Sequence, residues 1–131
     1  MRDNEWLENR MDFVIRRYFA DAKIPNSLYI KFGQKARTRL GSIRKRGRDT
    51  EITMCGHFKD DKIPEFVVDA VIGHELCHYV HGFSSPLPQL ARHPHSGGLV
   101  SREMSMRGMG ELEKKQKKWI KDNWLKYLKR A

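Results

Sequence analysis

Cysteine is scarce in this 131-residue sequence. Cys55 and Cys77 are the only two, too few for a disulfide framework, and a reduced, cytoplasmic setting is the simplest expectation. No apolar run approaches the roughly 18 residues that span a bilayer, so no membrane association is expected. The opening residues, MRDNEWLENRM, lack the apolar core of a secretory signal. Hydrophobic residues make up 39% and charged residues 32% of the chain, which excludes collagen-like and disordered classes. The length fits one domain, residues 1–131, with enough surface to bury for a single core.

What is abundant is positive charge. The formal net charge is +10, and it is uneven: residues 1–50 carry +7, residues 51–100 carry −3 and residues 101–131 carry +6. Two basic arms thus flank an acidic centre. Such arms attract polyanions, so non-specific DNA is an expected partner class, although no DNA-reading motif accompanies them and no individual nucleic-acid-binding residue is identified.

Periodicity supplies the elements. Asp3 is placed to cap a helix over about residues 4–21, whose apolar stripe is Trp6, Leu7, Met11, Val14, Ile15, Tyr18 and Phe19. Leu28, Ile30 and Phe32 alternate as a half-buried strand does. Residues 39–55 read as a hairpin turning at Arg46-Gly47-Arg48-Asp49. Asp60, Asp61 and Pro64 mark the start of the next helix. Residues 66–80, FVVDAVIGHELCHYV, are apolar on nearly every side, the pattern of a central buried helix with Gly82 as its left-handed cap. Residues 83–98 form a long loop, a length that is often functional. Ser96 is placed to cap a helix over 97–107, and Leu112, Trp119, Ile120, Trp124, Tyr127 and Leu128 form one face of a lysine-rich C-terminal helix. Those aromatic rings are available in principle to stack on bases, but at helical spacing they fit a core better. The fold class is α+β: a three-stranded sheet packed on a central helix, with N- and C-terminal helices.

Chemistry concentrates in His74-Glu75-Leu76-Cys77-His78, an HExxH pattern inside the buried helix. Four residues advance slightly more than one turn, so the two imidazoles lie about 40° apart around the axis and one pitch apart along it. They can grip one metal ion. Glu75, offset by about 100°, is placed to act on a water rather than to ligate. Zinc brings the pKa of a bound water toward ~7, and a neighbouring carboxylate can then take a proton as general base. A shuffled chain of this composition yields roughly 0.016 such patterns. Two imidazoles and a carboxylate on an apolar helix are also costly unless paired or metal-bound.

A catalytic zinc takes a third protein ligand. His81 lies two turns from His74, too far for the same ion, and fits a C-terminal helix cap. His57 reads as a loop histidine. His93 and His95 flank Pro94, and one of them can face the metal; Glu103, on the following helix, is the main rival. Cys77 points away from the 74/78 face and fits the core. Arg102 and Arg107 are candidates for oxyanion stabilisation that the sequence does not place in the cleft.

Arg39-Leu40-Gly41-Ser42, Ile52 and Val71-Ile72-Gly73-His74-Glu75-Leu76-Cys77-His78, followed by His95-Ser96-Gly97-Gly98, resemble the SprT-like metallopeptidases and the related minigluzincin-type zinc peptidases over about residues 27–105. The resemblance implies a small zincin-like domain. It further implies a polypeptide substrate bound along a sheet edge, with residues 51–55 as the candidate edge, and His95 as third ligand. The sequence keeps that His but lacks the aromatic that usually follows it, and a gluzincin-type site would use Glu103 instead. The expected activity is zinc-dependent hydrolysis of peptide bonds, with His74, His78 and His95 on Zn²⁺ and Glu75 as general base, acting in one version on DNA-associated proteins. The alternative is a basic nucleic-acid-binding module whose zinc site is structural or vestigial.

Overall fold

The computed structural model describes all of residues 1–131, and its elements are those of an α+β protein with four helices and one three-stranded mixed sheet. Helix α1 spans Asn4–Tyr18 and is capped by the Asp3 carboxylate, which accepts a hydrogen bond from the Trp6 amide at 2.8 Å. It stops three residues short of the expected end. Phe19 leaves helical geometry to bury its ring in the core, and Arg107 takes the Tyr18 carbonyl at 3.0 Å. Leu7, Met11, Val14 and Phe19 are buried, while Trp6, Ile15 and Tyr18 pack at the margin.

Strand β1 (Leu28–Phe32) pairs in parallel with β3 (Asp49–Met54), and β2 (Gly41–Arg46) pairs antiparallel with β3. The order β1-β3-β2 corrects one expectation: residues 51–55 belong to the central strand, and β1 and β2 are the edges. Composition explains the exchange. In β3, Ile52 and Met54 are fully buried and Ile52 faces both Ile30 and Ile43. In β2, GSIRKR, Ile43 is the only large apolar residue, and charged side chains suit an open edge. The hairpin turns at Gly47, whose φ of +62° needs no side chain. On the outward face, Glu51 is buried beneath Arg44 at 3.0 Å, Arg46 at 3.2 Å and Lys31 at 3.5 Å. Burial pushes its carboxyl up, but the Arg44 hydrogen bond and the three cations outweigh that and hold it below the usual range.

Helix α2 (Glu65–Val80) runs through the middle of the molecule, packed by α1, the sheet, α3 (Leu99–Met106) and α4 (Gly110–Arg130). It begins later than Asp60 and Asp61 imply: Asp60 instead accepts from the Lys62 amide at 2.9 Å in a preceding turn, and Pro64 is the residue just before the helix. Buried Asp69 is reached by Arg10 at 2.9 and 2.5 Å, which ties α1 to α2. Burial still leaves the Asp69 carboxyl above its ordinary pKa, so the ion pair offsets only part of its desolvation.

The far end of α2 closes as expected. Gly82 has φ +83°; its amide donates to Tyr79 O at 3.0 Å and the Phe83 amide to His78 O at 2.9 Å, the two bonds of a Schellman cap. The long loop then folds back over this cap. Its Leu90 amide donates to His81 O at 3.0 Å, and Thr50 Oγ1 to Ser84 O at 2.7 Å. Ser96 does not cap the next helix. Gly97 and Gly98 are both left-handed (φ +58° and +69°), so Ser96–Gly98 forms a separate 3-10 turn and α3 starts at Leu99. No helix is long and apolar enough to cross a membrane.

Gly82 is where loop and helix meet most closely. A Cβ there would lie 2.3 Å from Pro88 O and 2.6 Å from Gln89 Cα, backbone atoms that have little room to yield. Gly82→Ala therefore lowers the unfolding free energy by about 2–4 kcal/mol in urea titrations, from left-handed strain plus clash. Gly82→Asn, which tolerates the left-handed region but keeps a Cβ, recovers less than half of that loss.

Candidate metal centre

Two turns of α2 present His74 and His78 on one side, as their spacing requires, and their Nε2 atoms lie 3.1 Å apart. The loop after α2 brings His95 to the same point, with its Nε2 3.2 Å from that of His74. All three donor atoms fall within 4.8 Å of one another. Arg102 holds the approach by donating to Gly97 O at 2.6 Å. His93, on the other side of Pro94, is exposed and takes no part.

Hydrogen bonding alone does not account for this cluster. A neutral imidazole nitrogen offers either one N–H or one in-plane lone pair. His74 Nε2 faces two other ring nitrogens, so no choice of tautomers satisfies both contacts well. A shared cation would. A tetrahedral ion with metal–nitrogen bonds of 2.0–2.1 Å sets its ligand nitrogens about 3.3 Å apart, close to the spacings present. Burial pushes the His74 ring down to about 4, helped by the charge of His95. Burial and the charges of His74, His95 and His81 do the same for His78, also to about 4. Both are therefore neutral near pH 7, the form that ligates a metal. Imidazole donors suit a divalent transition metal.

Glu75 is 5% exposed, and its Oε2 lies against Gly41 of β2, 3.2 Å from where a Cβ would sit. Its carboxyl lines two clefts at once, one of about 500 Å³ shared with His78, the other of about 310 Å³ shared with His74. Burial raises its pKa to about 7 against the opposing pull of Arg39. Arg39 lines both clefts with it. Sequence reasoning gave this arginine no role; the available signal was a cation placed just before an edge strand.

Other candidates lie elsewhere. Glu103, the rival third ligand, stands outside the histidine cluster. Its Oε1 meets His81 Nε2 at 3.0 Å and its Oε2 accepts from Arg107 Nε at 2.7 Å. His81 is the C-cap residue of α2, as expected, its amide donating to Cys77 O at 3.0 Å, while its ring is buried against α3. Arg107 bonds Asp21 at 2.7 Å as well and belongs to this brace, while Arg102 serves the loop, so neither lines the Glu75 clefts. His57 is no loop histidine: it is buried in a 3-10 turn, edge-on to Trp124 at 5.7 Å and Tyr127 at 5.5 Å. Cys77 is fully buried, with its thiol pushed up to about 12 by burial, and packs in the core as expected. Trp124 and Tyr127 stack on each other, and Trp124 donates to Arg37 O at 2.6 Å, so these rings are occupied within the fold.

No protein-family model, curated protein or solved structure matches the chain.

Two measurements check the centre. In calorimetric titration with zinc, His74→Ala, His78→Ala and His95→Ala each weaken binding by at least about 100-fold, while Glu103→Gln changes it by less than about threefold. In chelator, acid unfolding reports the buried groups. Below pH 6.5 the unfolded chain protonates both imidazoles while the folded one, with His74 and His78 near 4, does not. Folding stability is therefore lost as pH falls from about 6.5 to 4.5. Glu75 opposes this, since near 7 its folded form holds a proton the unfolded form has lost. Glu75→Gln removes that opposition, so its stability falls more steeply with acid than the wild type's in urea denaturation across this window.

Proposed function

We propose that the chain is a zinc-dependent metallopeptidase of the SprT-like and minigluzincin kind. The single observation that carries this reading is the convergence of His74, His78 and His95 beside a buried carboxylate, Glu75, that opens on two clefts. Three histidine donors make the ligand set of a catalytic zinc, whereas structural zinc is closed by four protein ligands. When bound, zinc supplies a Lewis acid for the scissile carbonyl, acidifies a water, and favours the ionised form of Glu75.

The chain's own residues do the rest. Glu75 takes a proton from the attacking water at its carboxylate and returns it to the departing amine, so that no free hydroxide or amide anion has to form. The edge of β2 offers unpaired backbone groups to an extended substrate, which would add as a further strand and present a peptide bond to Glu75. Gly41, which has no side chain, lets the Glu75 carboxylate come up against this strand.

The rival reading, a nucleic-acid module with a structural zinc, has less behind it. Arg44, Arg46 and Lys31 are gathered on Glu51, Lys118 pairs with Asp122, and the tail aromatics pack inward.

Zinc-loaded Glu75→Gln should keep its metal within a few-fold yet cleave an unstructured polypeptide about 10²–10⁴-fold more slowly than wild type, read by release of new amino termini. Equal cleavage by the two proteins would dismiss the mechanism.

A further inference from the structure

Resting on the peptidase reading, we infer that the groove selects polypeptides with acidic side chains flanking the bond that is cut. The two clefts share Arg39 and Glu75, so both open on the same carboxylate. The larger cleft reaches Lys45, and the smaller reaches Lys117. Glu75 is the only carboxylate on either wall.

The charge there is unspent. Arg39 and Lys45 enter no ion pair with any carboxylate of the chain, and Lys117, largely exposed, makes one loose pair with Glu113 at 3.5 Å. This contrasts with the outer face of the same sheet, where Glu51 draws in three cations. Apolar lining is thin: Ile43 and Phe83 in the larger cleft, Leu40 and Val71 in the smaller. An apolar side chain would find little surface to bury, whereas clefts lined by one sign of charge concentrate ligands of the other.

The occupant is a peptide rather than a polynucleotide because of where the negative charge sits. A nucleic acid carries it along its whole backbone and would set a phosphate against Glu75. An extended peptide offers Glu75 a neutral backbone and holds its carboxylates at side-chain tips, alternately directed from the strand, within reach of Arg39, Lys45 and Lys117.

The test uses three unstructured peptides of one length that differ only in carrying Glu, Gln or Lys at the positions flanking a common centre. Their binding to zinc-loaded Glu75→Gln is read by fluorescence anisotropy, and their cleavage by zinc-loaded wild type as kcat/KM. The acidic peptide should bind about tenfold tighter than the lysine peptide, the scale of two partly exposed ion pairs, and the gap should shrink with added salt. Lys45→Glu with Lys117→Glu should invert the order, and the milder Lys45→Gln with Lys117→Gln should flatten it. Equal binding of all three peptides, or an order that survives both double variants, would overturn the inference even if every peptide were cut. If the binding order holds and wild type cuts none of them, the peptidase reading fails while the charge-selective groove stands. A single-stranded oligonucleotide that displaces the acidic peptide at lower concentration from zinc-free wild type, whose Glu75 carboxylate is intact, and loses that ability in Lys45→Glu with Lys117→Glu, would give the groove to nucleic acid and overturn the inference.

Discussion

A helix buried almost all the way round can carry polar side chains only where each is paired or opens on a gap between its neighbours. Helix α2 is under that constraint. Asp69 meets it through Arg10, and Tyr79 through a short hydrogen bond from its hydroxyl to Asn26. His74 and His78 meet it only in part, by facing each other and His95. Glu75 meets it by lying along a cleft. These residues share one stretch of the helix, and the surrounding fold departs from tight packing at that stretch.

The departure is built by specific neighbours. The edge strand β2 crosses α2 at Gly41, where the missing side chain leaves space for the Glu75 carboxylate. Beyond α2, Gly82 allows the chain to turn back tightly, and the left-handed Gly97 and Gly98 set α3 after His95 rather than through it. The chain of contacts from His81 through Glu103 and Arg107 to Asp21 fixes α3 between the end of α2 and the end of α1. The carboxylate of Glu103, the rival candidate ligand, is thus part of the brace beside the loop that carries His95.

Much of this was visible in the sequence because it is local. Helix periodicity located α1, α2 and α4, and four-residue spacing alone is enough to place His74 and His78 on one side of a helix. The hairpin was legible from its glycine turn. What the sequence hid depends on contacts between distant segments. The strand order rests on the difference in burial between Ile52 and the charged β2, which appears only once β1 is known to pair in parallel with β3. The end of α1 moved because Phe19 had a pocket to fill and Arg107, 89 positions from Tyr18, had a carbonyl to meet. The separation of Glu103 from the three histidines likewise turned on His81, whose burial no periodicity announced.

The most direct test of the account is the coordination sphere of the zinc-loaded protein, measured by X-ray absorption at the zinc edge and by anomalous diffraction. The account predicts three imidazole nitrogens, from His74, His78 and His95, and one oxygen from solvent. A carboxylate from Glu103, a fourth protein ligand, or an ion that leaves His95 free would contradict it.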